Sequence, residues 1–501
     1  MMNKFFLTTP IYYVNDVPHI GHAYTTILAD VLARFHHAAG DQVFFLTGVD
    51  EHGQKVLQAA QKRGVAPQAH CDELAPRFSN LWEELDIRYD DFIRTTQPRH
   101  TTIVQHVLKK VFDAGDIYVD EYEGWYSVAE ERFITETEMS SGQFRDVKQI
   151  KERNYFFKMS KYQSRLIEYI GSHPDFIQPE HRANEILGFL KQPLGDLCIS
   201  RPKARMSWGI ELPFDKEYVT YVWFDALINY ISAPGYSVDD QKFNKWWPAD
   251  LHLIGKDILT THSVYWTTML FSLGLPLPKT IFAHGWWLTG DTKMSKSLGN
   301  VVNPMDFIEK YGVDSVRYFL MREMILGLDA NFTQDAFIKR YNSDLANDFG
   351  NLLNRVSGLL NKNHGGMVPD PGVMTPAEND IVLFGRALSE LVQDEVNELR
   401  IHEAIEKVLV VVRMTNKYLE QQAPWKVAKE DLKRAGTILY IATEVLRLSA
   451  VLLKPVMPAK TKRVLEILGA EDSGLSWGEL KPGTKLQTHE ALFPRIEVEK
   501  K

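Results

Sequence analysis

The chain has 501 residues, too many for one hydrophobic core, so two to four domains are expected. Its 45% hydrophobic and 24% charged residues are the balance of a soluble globular protein, and Cys71 and Cys198, the only cysteines, exclude a disulfide framework and suit a reducing cytoplasm. A net charge of −8 excludes a uniformly basic nucleic-acid binder, yet from Asn331 onward 23 Lys and Arg meet 23 Asp and Glu, against 34 and 42 earlier, so a basic face in the later part stays open.

In chain order, residues 5–9 are strand-like, and Phe5-Phe6-Leu7 is too short for a signal or spanning segment, with no Arg-rich presequence before it. A loop with Pro10 and Pro18 leads to a helix over residues 23–39 that stops at Gly40. Residues 43–47 form the next strand, and a helix runs on from Leu57. This β-α-β order predicts a parallel sheet with right-handed crossovers. From about Asp116 to Glu217 short strands, aromatics and turns mix, as in an inserted domain. Strand-helix alternation resumes at residues 221–224, 251–254 and 280–283. After about Phe332 long helices take over. Thr375-Pro376-Ala377-Glu378 carries a capping box with proline at the first helical position, after a loop holding Gly365-Gly366 and Pro369-Asp370-Pro371-Gly372. Residues 437–453 are the most apolar late stretch. They carry Glu444 and Arg447, which makes them a buried helix rather than a membrane span.

Two strings carry chemistry. His19-Ile20-Gly21-His22 follows the first strand and meets a helix start, where backbone N–H groups and the helix dipole favour an anion. Gly21 lets a base or phosphate approach the backbone, and His19 and His22 can donate to phosphate oxygens. Alone, the string is also compatible with histidines that cap a helix. Lys293-Met294-Ser295-Lys296-Ser297, 271 positions after His22, lies in a polar loop between the last strand and the helical half. Lysine, a compact charge on a flexible stem, suits a rearranging triphosphate. A solvated surface loop is the alternative, and the two strings together argue against it.

The pair resembles the two ATP-binding elements of class I aminoacyl-tRNA synthetases. Further strings are similar to the methionyl-tRNA synthetase family: Pro10-Ile11-Tyr12-Tyr13-Val14-Asn15, Gly48-Val49-Asp50-Glu51-His52-Gly53-Gln54-Lys55, Tyr221-Val222-Trp223-Phe224-Asp225-Ala226, Ile254-Gly255-Lys256-Asp257-Ile258, Phe349-Gly350-Asn351-Leu352-Leu353-Asn354-Arg355 and Gln422-Ala423-Pro424-Trp425. The resemblance runs from about residue 5 to the early 460s. It implies a Rossmann-type parallel-sheet catalytic domain in two halves, 1–115 and 219–275, around an inserted connective domain, 116–218. A loop and stem-contact region, 276–335, and an all-α anticodon-binding bundle, 336–501, would follow.

The implied reaction joins L-methionine to ATP, with Mg2+, as methionyl-adenylate and then charges initiator and elongator tRNA(Met). Methionine's apolar thioether calls for a rigid aromatic pocket with one ammonium anchor. By resemblance Ile11, Tyr13, Trp223, Ala226, Leu227, Tyr230, Ile258, His262 and Trp266 line it, and Asp50 holds the α-amino group. Taken singly, Trp223, Ile258 and Trp266 would serve equally as core. For ATP the resemblance implies His19, Gly21 and His22 at phosphate and base, Gly255 and Asp257 at the ribose, His284 to Trp287 at the adenine, and Lys293 and Lys296 on the phosphates. Asn351 and Arg355 share a helix face at i and i+4, and Trp425 follows a proline at a helix boundary. They are the implied anticodon readers, with an interhelix wedge as the plain alternative for Trp425.

Many relatives in the family hold a zinc knuckle in the inserted domain with two or four cysteine pairs. Here Tyr122-Glu123-Gly124-Trp125-Tyr126-Ser127 opens the matching stretch, and no cysteine follows until Cys198, so no metal site is expected and the knuckle should be held by hydrophobic packing. His70, His100, His106, His173 and His181 lack ligand spacing and read as surface or structural. The chain ends about thirty residues beyond the last helical stretch, so no appended tRNA-binding domain and a cytoplasmic monomer without membrane contact are expected. Isoleucyl, valyl and leucyl enzymes need a large editing domain that the interval between the strings cannot hold. A cysteinyl enzyme needs zinc ligands. A small nucleotidyltransferase would not need Asn351, Arg355 and Trp425, and an RNA-binding descendant would have lost Lys296 or His22.

Overall fold

The computed structural model describes residues 3–14, 18–127, 132–134, 139–140, 142, 146–289, 292–293, 304–471 and 474–497. The chain divides into two compact units, Met1–Pro18 with His36–His284, and His19–Phe35 with Gly285–Lys501.

The first unit is built on six parallel strands: β1 (Lys4–Tyr13), β2 (Gln42–Asp50), β3 (Asp91–Arg94), β4 (Ile177–Gln178), β5 (Leu251–Gly255) and β6 (Thr280–His284), in the order β3-β2-β1-β5-β6-β4. β2 is buried from its second residue to its last, as parallel strands covered on both faces must be. Phe6, Phe44, Leu46, Ile93, Ile254 and Ile281 anchor the core. Gly48 pairs with Ile93, where a Cβ would stand 2.1 Å from the Ile93 carbonyl oxygen, so only glycine lets β2 and β3 close. In β1 the register slips between Thr8 and Ile11, around Pro10, which has no N–H to give the ladder. The slip re-aims the end of the strand that carries Ile11 and Tyr13.

Within residues 116–218, expected as an insert, the chain forms antiparallel structure. Ile117–Ser127 pairs with Val147–Phe157, Leu197–Cys198 adds at the edge, and Ser200–Pro202, Glu211–Leu212 and Asp215–Thr220 form a small second sheet. β4 also falls within residues 116–218, yet it pairs with Ile281 and Phe282 in the central sheet. The stretch after Ser127, where a knuckle packed by hydrophobic residues was expected, lies largely outside the described residues. Residues 221–224, expected as a strand, are instead the start of the helix Val222–Ala226, with Tyr221 as its extended N-cap. A short, fully apolar run has no periodicity to separate the two states, and the aromatic and β-branched content pointed the wrong way.

The second unit holds the first helix from its start to Phe35 and, after Lys293, mostly helices. Trp287–Thr289 and Thr292–Lys293 form a short hairpin, and Ala330–Asn331 runs parallel to the first of them. The helix Leu432–Leu453 is buried at every position from Ala435 to its end, as a helix apolar all round must be. The two charges within that buried stretch neutralise each other: Arg447 donates to both oxygens of Glu444 at 2.7 and 2.9 Å, and Glu444 also accepts from the Gly478 and Leu480 N–H groups. The predicted capping box stands at Thr375 and Glu378, heading Pro376–Asn397.

Candidate active site

The chain leaves β1 for β2 and β3 on one side and returns on the other for β5 and β6. The reversal therefore lies between β1 and β5, where open parallel sheets bind ligands at their carboxyl ends. The candidate residues collect there. Tyr13 ends β1 opposite Asp50, which ends β2, while Gly255 ends β5 opposite His284, which ends β6. Asp50 is buried and accepts from the His52 N–H at 3.4 Å.

The apolar slot is assembled from Val222–Ala226, Asn229–Ser232, Lys256–Ile258 and the π-helical turn Thr261–Trp266. Insertions of π geometry commonly re-aim side chains at sites. His262 Nδ1 lies 2.8 Å from the Ile258 carbonyl, an acceptor only, so Nδ1 carries the proton and Nε2 accepts the Tyr230 hydroxyl at 2.8 Å. Burial holds His262 neutral, down to about 4. Behind them Trp266 donates its indole N–H to His252 Nε2 at 3.2 Å, and His252 Nδ1–H donates to the Thr8 hydroxyl at 2.8 Å. Burial keeps His252 uncharged as well. The Tyr230 ring lies 4.3 Å from that of His252 and 5.8 Å from that of Trp266. Ala226, Leu227, Tyr230, His262 and Trp266 are buried, whereas Ile11, Tyr13, Trp223 and Ile258 are half-buried, as residues that line an opening would be.

Three side chains that sequence reasoning left without a role support this wall. Asp225, between Trp223 and Ala226, accepts from His52 Nδ1 at 2.7 Å and His100 Nε2 at 2.8 Å. Burial alone would raise its carboxyl, but the His52 charge and both hydrogen bonds outweigh this and hold it at about 2. His100 is fully buried and His70 nearly so, bonded to the Val14 carbonyl at 3.0 Å, so both are structural; His106, His173 and His181 are exposed. Cys71 is buried with its thiol pushed up to about 12 by burial, and both cysteines are free.

Around the expected nucleotide residues, a Cβ at Gly255 would meet the Asp257 carboxylate at 2.6 Å and His284 at 3.8 Å. In the other unit, His19 and His22 stack with centroids 3.8 Å apart. His19 Nδ1 accepts the Gly21 N–H at 3.1 Å and His22 Nδ1 accepts the His19 N–H at 3.4 Å, so both neutral rings carry their proton on Nε2. The Trp287 indole is buried among Tyr24, Phe319 and Phe332. Lys293 ends the hairpin as main chain; Lys296 and the rest of its string lie outside the described residues.

On the helical bundle the three expected readers come together. Asn351 Nδ2 and Arg355 Nη1 each lie 3.4 Å from the Asn416 side-chain oxygen, and the Arg355 guanidinium stands 5.8 Å from the Trp425 ring centre. Trp425 is 39% exposed. The turn that presents it is fixed from inside. Ala423 takes a left-handed φ of 43°, Pro424 starts the next turn, and Arg434 donates to both Gln422 at 3.1 Å and the buried Glu378 at 2.6 Å. Among the described residues no three His, Cys, Asp or Glu side chains stand together as a metal site.

Comparison with known proteins bears on this arrangement. The family model of class I tRNA synthetases (M) matches residues 5–143 and 140–357, and that of the anticodon-binding domain of methionyl tRNA ligase matches 368–501. A methionine–tRNA ligase of Caldanaerobacter subterraneus is 45% identical over all of this chain and 80% of its own length, and one of Thermotoga maritima is 45% identical over 99% and 81%. Among solved structures, Mycobacterium tuberculosis methionyl-tRNA synthetase in complex with methionyl-adenylate superposes with a TM-score of 0.94 at 40% identity, covering 99% of this chain and all of that one. The chain belongs to the methionyl-tRNA synthetases of class I.

Proposed function

We infer that the carboxyl ends of β1, β2, β5 and β6 are where methionine meets ATP in this chain. As a methionine–tRNA ligase it catalyses two steps. A methionine carboxylate oxygen attacks the α-phosphorus of ATP, the bond to the bridging oxygen breaks, and pyrophosphate leaves. A hydroxyl of the tRNA's 3′-terminal adenosine then attacks the adenylate carbonyl, and AMP leaves. No enzyme nucleophile is required, so the protein's contribution is positioning and electrostatics.

The observation that carries the residue assignment is the convergence of Tyr13, Asp50, Gly255 and His284 at strand ends beside a slot in which Tyr230, His262 and the Ile258 carbonyl satisfy one another. Asp50 pairs with the ammonium group. Ile11, Tyr13, Trp223, Ala226, Leu227, Tyr230, Ile258, His262 and Trp266 enclose the thioether, which asks for polarizable contact and no strong donor. Gly255 and Asp257 take the ribose, and the 284–287 main chain the adenine. His19 and His22 meet phosphate oxygens through Nε2–H, with Lys293 and Lys296 following the pyrophosphate. Mg2+ arrives on ATP, and no protein ligand is assigned to it. Asn351, Arg355 and Trp425 read unpaired anticodon bases of tRNA(Met). We divide the chain as catalytic halves at 1–115 and 219–275, an insert at 116–218, a stem-contact region at 276–335 and the anticodon bundle from 336. A monomer is the assembly we take, and two free thiols suit the cytoplasm.

Amino-acid-dependent ATP–pyrophosphate exchange across all twenty amino acids tests the substrate. Methionine is expected to support it, and exchange with isoleucine or cysteine but not methionine would overturn the assignment. Trp425→Ala should impair tRNA charging far more than exchange; equal loss of both would make Trp425 a structural residue.

A further inference from the structure

The turn that follows β2 carries Asp50, Glu51 and His52, all three buried. Two of the side chains bond outward: Glu51 accepts from Arg94 at 2.7 Å and from Thr96, and His52 Nδ1 meets Asp225 at 2.7 Å. The main chain of the turn is held from another part of the sequence. The Glu51 carbonyl accepts the indole N–H of Trp208 at 2.5 Å, across 157 positions, with the weaker Cys71 thiol at 3.6 Å. The Trp208 ring also stands 5.4 Å from that of His52. Trp208 lies within residues 116–218, the stretch inserted into the parallel sheet.

The loop that presents Trp208 is itself fixed. The Arg205 and Met206 N–H groups bond to the Pro202 carbonyl, and the Lys203 N–H bonds to that of Glu217, which ties the loop to the small second sheet. A Cβ on Gly209 would stand 3.1 Å from Val219 and 3.2 Å from the Thr220 carbonyl, so a larger residue there would press the loop away from the sheet. Met206 shares a small core with Leu57 and Val222, and Tyr13 and Trp208 pack against it. Leu57 belongs to the helix Gln54–Arg63, just beyond the turn, and Val222 to the helix that carries Trp223.

The Glu51 C=O and the His52 N–H belong to one planar peptide unit. Trp208 holds its oxygen, and its N–H points to the Asp50 carboxylate at 3.4 Å. Because the unit is rigid, a rotation that breaks the first bond also turns the N–H away from the carboxylate. Donation to the oxygen polarises the N–H towards that negative charge as well. We propose that Trp208 is a positioning residue for methionine: it locks the 51–52 peptide plane and so fixes the Asp50 carboxylate that meets the substrate's ammonium group. The proposal rests on the reading of Asp50 as the ammonium anchor.

The test compares methionine with 4-(methylsulfanyl)butanoate, the same molecule without its amino group, by isothermal titration calorimetry on the full chain. Trp208→Phe keeps a flat ring and removes the donor. The Kd of methionine should rise roughly three- to tenfold, one hydrogen bond's worth, while that of the amine-free acid stays at the wild-type value. In pyrophosphate exchange the loss should fall on the methionine KM, with kcat and the ATP KM unchanged. Both acids are read on the same folded fraction, so partial unfolding does not move the ratio of the two constants. Asp50→Asn is the reference and should raise that ratio too. A raised ratio in Asp50→Asn with the wild-type ratio in Trp208→Phe would overturn the role of Trp208 and leave Asp50 standing. Equal weakening of both acids in Trp208→Phe, or a loss on kcat alone, would overturn it as well and make Trp208 a packing residue. The wild-type ratio in Asp50→Asn would overturn the ammonium reading and the proposal with it.

Discussion

Tyr230 donates its hydroxyl proton to His262 Nε2 over 2.8 Å, and the direction of that bond is set by the Ile258 carbonyl, which takes the other ring proton. Tyr230→Phe would therefore leave a buried acceptor without its donor, a cost of about 1–3 kcal/mol in stability. It would also free the ring of His262 to turn within the slot. The expected outcome is a lower melting temperature and a methionine KM in pyrophosphate exchange raised about tenfold, the equivalent of about 1.4 kcal/mol, with ATP KM unchanged.

Acid should destabilise the first unit through the same histidine. Folding lowers the His262 pKa from 6.5 to about 4, because burial disfavours the charged ring. Between those values the unfolded chain binds a proton that the folded chain does not, so stability falls as pH drops from about 6.5 to about 4. His252 contributes in the same direction. Thermal midpoints measured across this window should fall less steeply in His262→Gln, which has no proton to gain. An unchanged slope would place the acid sensitivity elsewhere.

Arg434 ties the Trp425 turn to a buried carboxylate. Burial would raise Glu378, but hydrogen bonds from Arg434, Tyr418 and Thr375 hold it at about 2. Its stabilisation is complete above the ordinary value of 4.5 and is lost as pH falls from there towards 2. Arg434→Met removes the cation, raises the Glu378 carboxyl and releases Gln422, so acid unfolding should begin at a higher pH. Because Gln422 ends the helix that leads into Trp425, the tRNA KM in charging should rise several-fold. Charging at the wild-type KM would show that the turn holds without this contact.

What could be read from the sequence was local. The box at Thr375 and Glu378 lies within four residues, and the exposure of Trp425 follows from the proline that ends one helix and starts another. The short apolar runs of β1, β2, β5 and β6, each bounded by turn or helix signals, likewise announced themselves. What escaped depends on distance along the chain: Asp225 meets His52 and His100 across 173 and 125 positions, and the tail around Phe493 meets Tyr341 and Phe349. Nothing in the spacing of such residues marks them as partners. The helix at Val222–Ala226 was missed for another reason, since a short buried run carries no face from which a period could be read.

The two histidines of the first string make a prediction that separates donor from acceptor. His22 Nδ1 already accepts the His19 N–H, so only Nε2 can donate outward. Glutamine places an amide N–H near the Nε2 position and asparagine near Nδ1. His22→Gln should therefore retain more pyrophosphate exchange than His22→Asn, and His22→Ala should retain least. If the ring served only to stack on His19, Gln and Asn would be equally poor. Lys296→Gln, which removes charge from the second string, is expected to lower the exchange rate by roughly 10²-fold or more, as loss of a donor that stabilises transition-state charge does. The effect should fall on kcat with methionine KM little altered, because the lysine is expected to act on phosphates and not on the amino acid; a rise in methionine KM at unchanged kcat would remove it from the phosphate role.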